Sequence, residues 1–383
     1  MINILYISGS RADYGPLRRT LQAIQAEPDL TLSILPTGMH LDPAHGETWR
    51  EIVRDGFTLT APVYGHLKGD SLAAMASSAG LYLYGMSQIM ASVKPDIVIV
   101  LGDRAEQLAG AMAAAFQNIV VLHLCGGSLS GSIDDSIRHA ITKFAHYHLP
   151  ASEEHGRRIR QMGECSSRIK VVGLPGGNIK PDVVYPRSAI CQELDLPEDV
   201  PYLLVNQHAV THSQDKAAEQ ITETLEALAL LKYPVLLANP NNDAGGQLIL
   251  SKMNQYADIH PHVKVLPPVC SRELFASIMA QAGAMIGNSS SGIAEAMSIN
   301  LPVINVGDRQ RGREHLACLI NVDYDREQIK KAVHTALYDP VYRKRLAEFK
   351  SPLIRSDTEH LIVDYLNEID LHAASRPKIF ADM

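Results

Sequence analysis

At 383 residues, with 46% hydrophobic content and a formal net charge of −7, the chain is long enough for two domains and has no long basic run, which excludes the clustered phosphate contacts of a nucleic-acid binder. No apolar stretch reaches the ~18 uninterrupted residues of a membrane span, and five scattered cysteines without CxxC spacing speak against a disulfide framework or a zinc site. The expectation is a cytoplasmic protein without metal, cofactor or membrane partner, opening on a strand rather than on an export signal.

The first apolar run, Ile2–Ser8, ends at Gly9 and gives way to a helical pattern over 16–24. Further strands are predicted at 31–35, 96–101, 119–124, 146–149 and 169–172, with helices such as 105–115 and 136–144 between them. The stretch GLPGGNIKPDVVYPRS after Val172 is dense in Gly and Pro and suits a linker. A second series follows, with strands at 202–205, 234–237, 263–266, 284–286 and 303–306, helices such as 215–231 and 272–280, and a helical tail over 326–371. Strands that are apolar throughout and alternate with helices indicate parallel sheets covered on both faces. The predicted fold is therefore α/β, with two Rossmann-like, doubly wound domains over 1–175 and 176–355, and a tail, 356–383, that packs back on the first. Ligands of such sheets bind beyond the carboxyl ends of the strands, which places the site in the cleft between the domains.

Chemistry-bearing residues cluster at those strand ends. The loop Gly9-Ser10-Arg11-Ala12-Asp13-Tyr14-Gly15 joins strand to helix, where free N–H groups and the helix dipole favour an anion, with Arg11 as a phosphate partner; the competing reading is a tight turn. In Gly102-Asp103-Arg104, Asp103 is either a general acid/base or a helix cap, and Arg104 faces the cleft; Asp134 likewise opens the next helix. His123-Leu124-Cys125-Gly126-Gly127-Ser128 ends another strand. In the second half His208 is a candidate proton donor or phosphate ligand, with a structural hydrogen bond as the alternative, and Asn241 sits in a polar strand end, PNNDAG. Gly287-Asn288-Ser289-Ser290-Ser291-Gly292 with Glu295 is a strand-to-helix turn whose small hydroxyls suit a diphosphate, while Glu295 suits ribose hydroxyls. Arg309 ends the next strand and reaches the same cleft.

In order, GSRADYG, TGMHL, GDRAEQLA, GSIDDSIRHAITKFAHYH, QHAVT, NPNNDAG, IGNSSSGIAEA and VINVGDRQRGRE resemble the UDP-N-acetylglucosamine 2-epimerase family, and most of all its hydrolysing branch, which serves sialic and legionaminic acid synthesis. The resemblance implies a glycosyltransferase-B-like fold, a UDP-sugar as substrate, and a homodimer or homotetramer. It implies elimination of the nucleotide to a glycal and addition of water, releasing UDP and a free sugar inverted at C2. Carried over by motif, Asp103 and Asp134 are acid/base groups, and Arg11, His208, Ser289, Ser290, Glu295 and Arg309 hold diphosphate and ribose. Base contacts are expected from the loop 266–271.

The chain departs from that pattern at one place above all. The branch resembles itself in His-x-Glu-Gly-Gly-Glu, whereas Cys125 and Ser128 stand here where the glutamates would be. A thiol is a base only as the thiolate, a minority form near pH 7 unless neighbours lower its pKa. Cys125 is thus either a catalytic group or an adaptation of the pocket to a modified sugar such as a 2,4-diacetamido-trideoxyhexose. Three other functions stay open: a nucleotide-sugar hydrolase without epimerisation, a glycosyltransferase, and a non-catalytic nucleotide-sugar-binding homologue.

Overall fold

The computed structural model describes all residues except 68, 70, 180–183, 268–269, 314–317, 372–377 and 383. Five strands, β1 (Ile2–Ser8), β2 (Leu30–Pro36), β3 (Ile97–Leu101), β4 (Val120–Leu124) and β5 (Tyr147–Leu149), form one sheet in the order β2-β1-β3-β4-β5. Six more, β6 (Leu203–Asn206), β7 (Val235–Leu237), β8 (Val263–Val265), β9 (Ala284–Gly287), β10 (Val303–Val306) and β11 (Leu319–Val322), form a second in the order β11-β10-β9-β6-β7-β8. All the pairings are parallel. The central strands of both sheets are almost wholly buried because helices cover both faces, which is why they read as continuous apolar runs, while the edge strands β8 and β11 are only partly covered.

The order of each sheet locates its ligand crevice. In the first sheet the chain winds from β1 to β2 and then reverses to β3 on the other side of β1; in the second it winds from β6 through β7 to β8 and reverses to β9. The switch points lie at β1/β3 and β6/β9, and the loops leaving those four strands carry the GSRADYG, GDR, NQH and GNSSSG segments.

Three elements differ from the sequence expectation. Residues 169–172 form no strand: Ile169 makes a single bridge with His148, and the N–H groups of Lys170 and Val172 donate to the carbonyls of His148 and Pro150. The chain turns away at Gly173, which adopts φ +85° and is packed against Thr358 and Arg355. Strand β11 and the helix Leu72–Val93 were not foreseen. That helix carries no charged residue and is apolar around most of its circumference, so it lacks an amphipathic period; Ser78, Tyr82, Met86 and Met90 form the buried stripe at four-residue spacing that packs on the helix Ala105–Phe116.

The tail returns to the first sheet. In the helix Thr358–Glu368, Ile362, Val363 and Leu366 join Leu17, Leu21 and Ile24 of the helix Arg11–Ala26 in one apolar cluster. Burying each such side chain stabilises the docked tail by about 1.5–3 kcal/mol.

Candidate functional site

Asp103 leaves β3 through Gly102, whose φ of +76° turns the chain into the cleft. Its carboxylate pairs with Arg138, one of the largest fully buried side chains in the molecule, and lies 3.9 Å from Arg313 of the second half. Arg138 also donates to the carbonyl of Ser128 at 3.0 Å and to Asp135 at 3.2 Å. Burial alone would raise the Asp103 pKa, but the charges of Arg138, Arg313 and Arg104 outweigh it and hold the carboxyl below the ordinary aspartate value.

Asp134 stands on the first turn of the helix Ile133–Phe144, which Ser132 rather than Asp134 caps. Arg309 reaches it from the second half at 3.4 Å. Here burial and the neighbouring Asp103 charge prevail over Arg309, so its pKa is raised. Two carboxyl groups facing one cleft are thus pushed in opposite directions, the pattern that separates a proton acceptor from a proton holder.

A further hydrogen-bonded series supports this corner from behind. His123 donates from Nε2 to the carbonyl of Gly102 at 2.8 Å, and its Nδ1 lies 3.2 Å from Thr142 Oγ1. Lys378 donates to the carbonyls of Thr142, Lys143 and Ala145 and pairs with Glu164 at 2.7 Å. The C-terminal segment therefore closes the end of the helix whose opposite end bears Asp134.

The second wall is built differently. Gly287 has φ +133°, and a Cβ there would lie 2.2 Å from the carbonyl of Asn206, so only glycine lets β9 and β6 meet this tightly. Asn288 clamps the next loop, accepting from the His208 N–H at 2.7 Å and donating to the His208 carbonyl at 2.9 Å. His208 Nδ1 accepts from the Asn241 N–H at 3.1 Å, so the ring proton sits on Nε2; burial pushes the imidazole down to about 3 and keeps it neutral. Asn241 in turn donates to Asp243 at 2.6 Å, and Asp243 meets Arg104 from the first half at 3.2 Å. The Ser289 and Ser291 hydroxyls lie 2.9 Å apart, and Ser290 has no hydrogen-bond partner for its N–H or hydroxyl among the described residues. Arg309 donates to the carbonyl of Asn288 at 3.2 Å, while its Nε is buried without a partner.

Four expectations meet a different geometry in the structure. The N–H groups of Gly9 and Ser10 are not free for an anion: Asp13 accepts from them at 3.0 and 2.8 Å in a capping box with Ser10. Arg11, expected as a phosphate partner, is held in two contacts by Glu51. Burial and the Asp103 charge push the Cys125 thiol up to about 12, which works against the thiolate that a base would need. Glu295 lies at the end of the one-turn helix Ser291–Ala294 rather than in a long helix, and Arg272 fixes its Oε1 at 2.9 Å. The loop 266–271 includes residues 268–269, which lie outside the described residues.

The site thus joins Asp103, Arg104, Asp134, His208, Asn241 and Arg309 of those expected, with Ser289 and Ser290 beside them. Arg138, Asp243, Arg272 and Arg313 had been given no role. Arg138 carried a visible signal, four residues after Asp134 on the same helix face; the others act through partners far away in sequence.

A family profile described as UDP-N-acetylglucosamine 2-epimerase matches residues 22–367. The chain is 38% identical, over 88% of its length and 89% of the relative's, to the UDP-N,N'-diacetylbacillosamine 2-epimerase (hydrolyzing) of Legionella pneumophila. It is 34% identical to the GDP/UDP-N,N'-diacetylbacillosamine 2-epimerase (hydrolyzing) of Campylobacter jejuni, over 81% of each. Among solved structures, a UDP-GlcNAc 2-epimerase from Neisseria meningitidis bound to UDP-GlcNAc superposes with a TM-score of 0.80 at 14% identity, covering 96% of this chain and 100% of that one. One from Methanocaldococcus jannaschii in complex with UDP-GlcNAc and UDP superposes with 0.77 at 19% identity and the same coverage.

Proposed function

Because the chain belongs to the UDP-N-acetylglucosamine 2-epimerase family, we propose that it is a hydrolysing 2-epimerase, acting on UDP-N-acetylglucosamine or a UDP-2,4-diacetamido-trideoxyhexose. The observation that carries this reading is the pair Asp103, just beyond the end of β3, and Asp134, on the first turn of the helix Ile133–Phe144, both on one wall and with their pKa values driven apart. Asp103, held ionised, takes the proton from C2 while the C1–O bond to the diphosphate breaks, leaving a glycal and UDP. Water then adds its hydroxyl at C1 and releases its other proton to solvent, while Asp134 gives its proton to the opposite face of C2, so the free sugar has the manno configuration. Asp103 sheds the C2 proton to solvent and Asp134 is reprotonated from it, which leaves one net proton released with UDP. Positioned proton transfer of this kind is worth about 10²–10⁴ in rate.

The second wall supplies the charge complement. Arg309 and the neutral His208, with its proton on Nε2, face the charge that builds on the leaving diphosphate. Ser289 and Ser290 offer hydroxyl donors, and Glu295, oriented by Arg272, offers an acceptor for ribose. Arg104 and Asn241 hold Asp243 between the walls. Cys125 shapes the sugar pocket as a small uncharged group. The product class suits sialic or legionaminic acid synthesis in the cytoplasm. A homo-oligomer is supported by the uncharged helix Leu72–Val93, where Tyr84 lies exposed beside the exposed Phe116.

The test is product identity. Incubation with each UDP-sugar, followed by NMR, is expected to show UDP and a free manno-configured sugar; a free sugar of unchanged configuration would instead mean hydrolysis without epimerisation. The neutral Cys125 favours one second reading, a homologue that binds the nucleotide sugar without converting it. That reading predicts tight UDP binding and no turnover of either sugar.

A further inference from the structure

Glu106 is a carboxylate that the chemistry above leaves unused. It lies on the first turn of the helix Ala105–Phe116, three residues beyond Asp103, and its side chain is 8% exposed. No described residue gives it a hydrogen bond. Among the described residues the nearest cation is Arg104 Nε at 4.0 Å, and that guanidinium is already engaged by Asp243 at 3.2 Å. A buried charge without donors is costly, and proteins normally pair it or reserve it for a ligand.

The space around Glu106 is made for it. A Cβ at Gly9 would lie 3.1 Å from its Cδ, and one at Gly38, where φ is +57°, would lie 2.6 Å from its Oε1. The two loops that leave β1 and β2 thus present bare backbone to this carboxyl group, and any side chain there would displace it. Its charge acts on Asp13, His66, Tyr82 and Arg104, which marks the pocket it shares. His66 Nε2 lies 3.3 Å from Asn242 Nδ2 of the opposite wall. The carboxylate therefore stands on the first-half side, where the two walls meet.

Resting on the nucleotide-sugar reading above, we propose that Glu106 is a specificity-determining residue that accepts a hydrogen bond from the C4 substituent of the sugar. In a pyranose ring C4 lies opposite C1. With the diphosphate on the second wall and C2 facing Asp103 and Asp134, C4 is the atom carried deepest into the first half. Both candidate sugars offer a donor there, a hydroxyl in one and an acetamido N–H in the other. A charged acceptor rewards either donor and leaves a sugar lacking it with an unpaired carboxylate.

The test is a double-mutant cycle by calorimetry. Wild type, Glu106→Ala and Glu106→Gln, each in an Asp103→Asn background that keeps the sugar nucleotides intact, are titrated with UDP, UDP-N-acetylglucosamine, its 4-deoxy analogue and the 2,4-diacetamido sugar nucleotide. Wild type is expected to bind the 4-deoxy analogue about tenfold or more weakly than the parent. Glu106→Ala is expected to weaken the parent by a similar factor, to leave the analogue little changed, and to bind UDP as wild type does, which also certifies its fold. Should Glu106→Ala not fold, the isosteric Glu106→Gln, which keeps a neutral acceptor but loses the charge, is expected to retain only a reduced preference for the parent over the 4-deoxy analogue. The acetamido arm shows whether the N–H or the hydroxyl is preferred. Losses that simply add, parent binding unaffected by Glu106→Ala, or a preference for the parent over the 4-deoxy analogue undiminished in Glu106→Gln, overturn the role of Glu106. Wild type that binds UDP but shows no saturable binding of either sugar nucleotide would overturn the nucleotide-sugar reading itself.

Discussion

The two walls of the cleft are held in place by different forces. On the second wall His208, Asn241 and Asn288 are fixed by hydrogen bonds to backbone groups of adjoining strand ends, an arrangement that the fold itself guarantees. The first wall depends on ion pairs: Asp103 on Arg138 and Arg313, and Asp134 on Arg309. Two of those arginines come from the second half. Nucleotide binding should therefore tolerate damage to the first wall, whereas the acid/base pair should respond to changes on either side.

The largest effect is expected at the carboxyl groups. Asp103→Asn and Asp134→Asn each preserve shape and should lower kcat by about 10²–10⁴ with UDP affinity unchanged; steady-state rates and calorimetry decide it, and retained turnover removes that residue from the chemistry. Next comes Arg138→Met, which leaves Asp103 partly uncompensated in a buried site and should destabilise the protein by about 3–5 kcal/mol. Denaturant unfolding measures this, and a loss under 1 kcal/mol would mean that the pair behaves as a surface contact.

Acid sensitivity probes the support behind the walls. His40 and His123 are fully buried and pushed down to about 3 by burial. The unfolded chain binds their protons first as pH falls below about 6.5, so each removes roughly 1.4 kcal/mol of stability per pH unit between there and about 3. Asp13, raised to about 6 mainly by burial, works in the opposite sense: the folded chain takes its proton first between about 6 and 3.8, offsetting one histidine. The balance predicts a Tm that falls steadily from pH 6.5 to 4, and a flat profile would contradict it. The smallest effect is expected for Lys378→Met, which uncaps the helix Ile133–Phe144 at its end far from Asp134. It should cost about 1 kcal/mol of stability and reduce kcat more than UDP affinity.

The strands at the two switch points were legible because buried parallel strands are apolar throughout, and that placed Asp103, His208 and Ser289 correctly at strand ends. The helix Leu72–Val93 was not, since a helix apolar on nearly every side carries no period to read. The loop after β1 was misread as an anion cradle although Ser10-x-x-Asp13 spells the capping box that consumes its N–H groups. Arg138 went without a role because its partner Asp103 lies 35 residues away, and only the folded sheet brings them together. Cys125 was visible as a departure, but its neutrality depends on burial beside Asp103 that no spacing reveals.

The central claim is that the first wall exchanges the C2 proton while the second holds the nucleotide. Turnover of UDP-N-acetylglucosamine or its 2,4-diacetamido counterpart in D₂O, read by NMR, tests it most directly. The account predicts a free manno-configured sugar with deuterium at C2; a free sugar that keeps its original configuration and protium at C2 would contradict it.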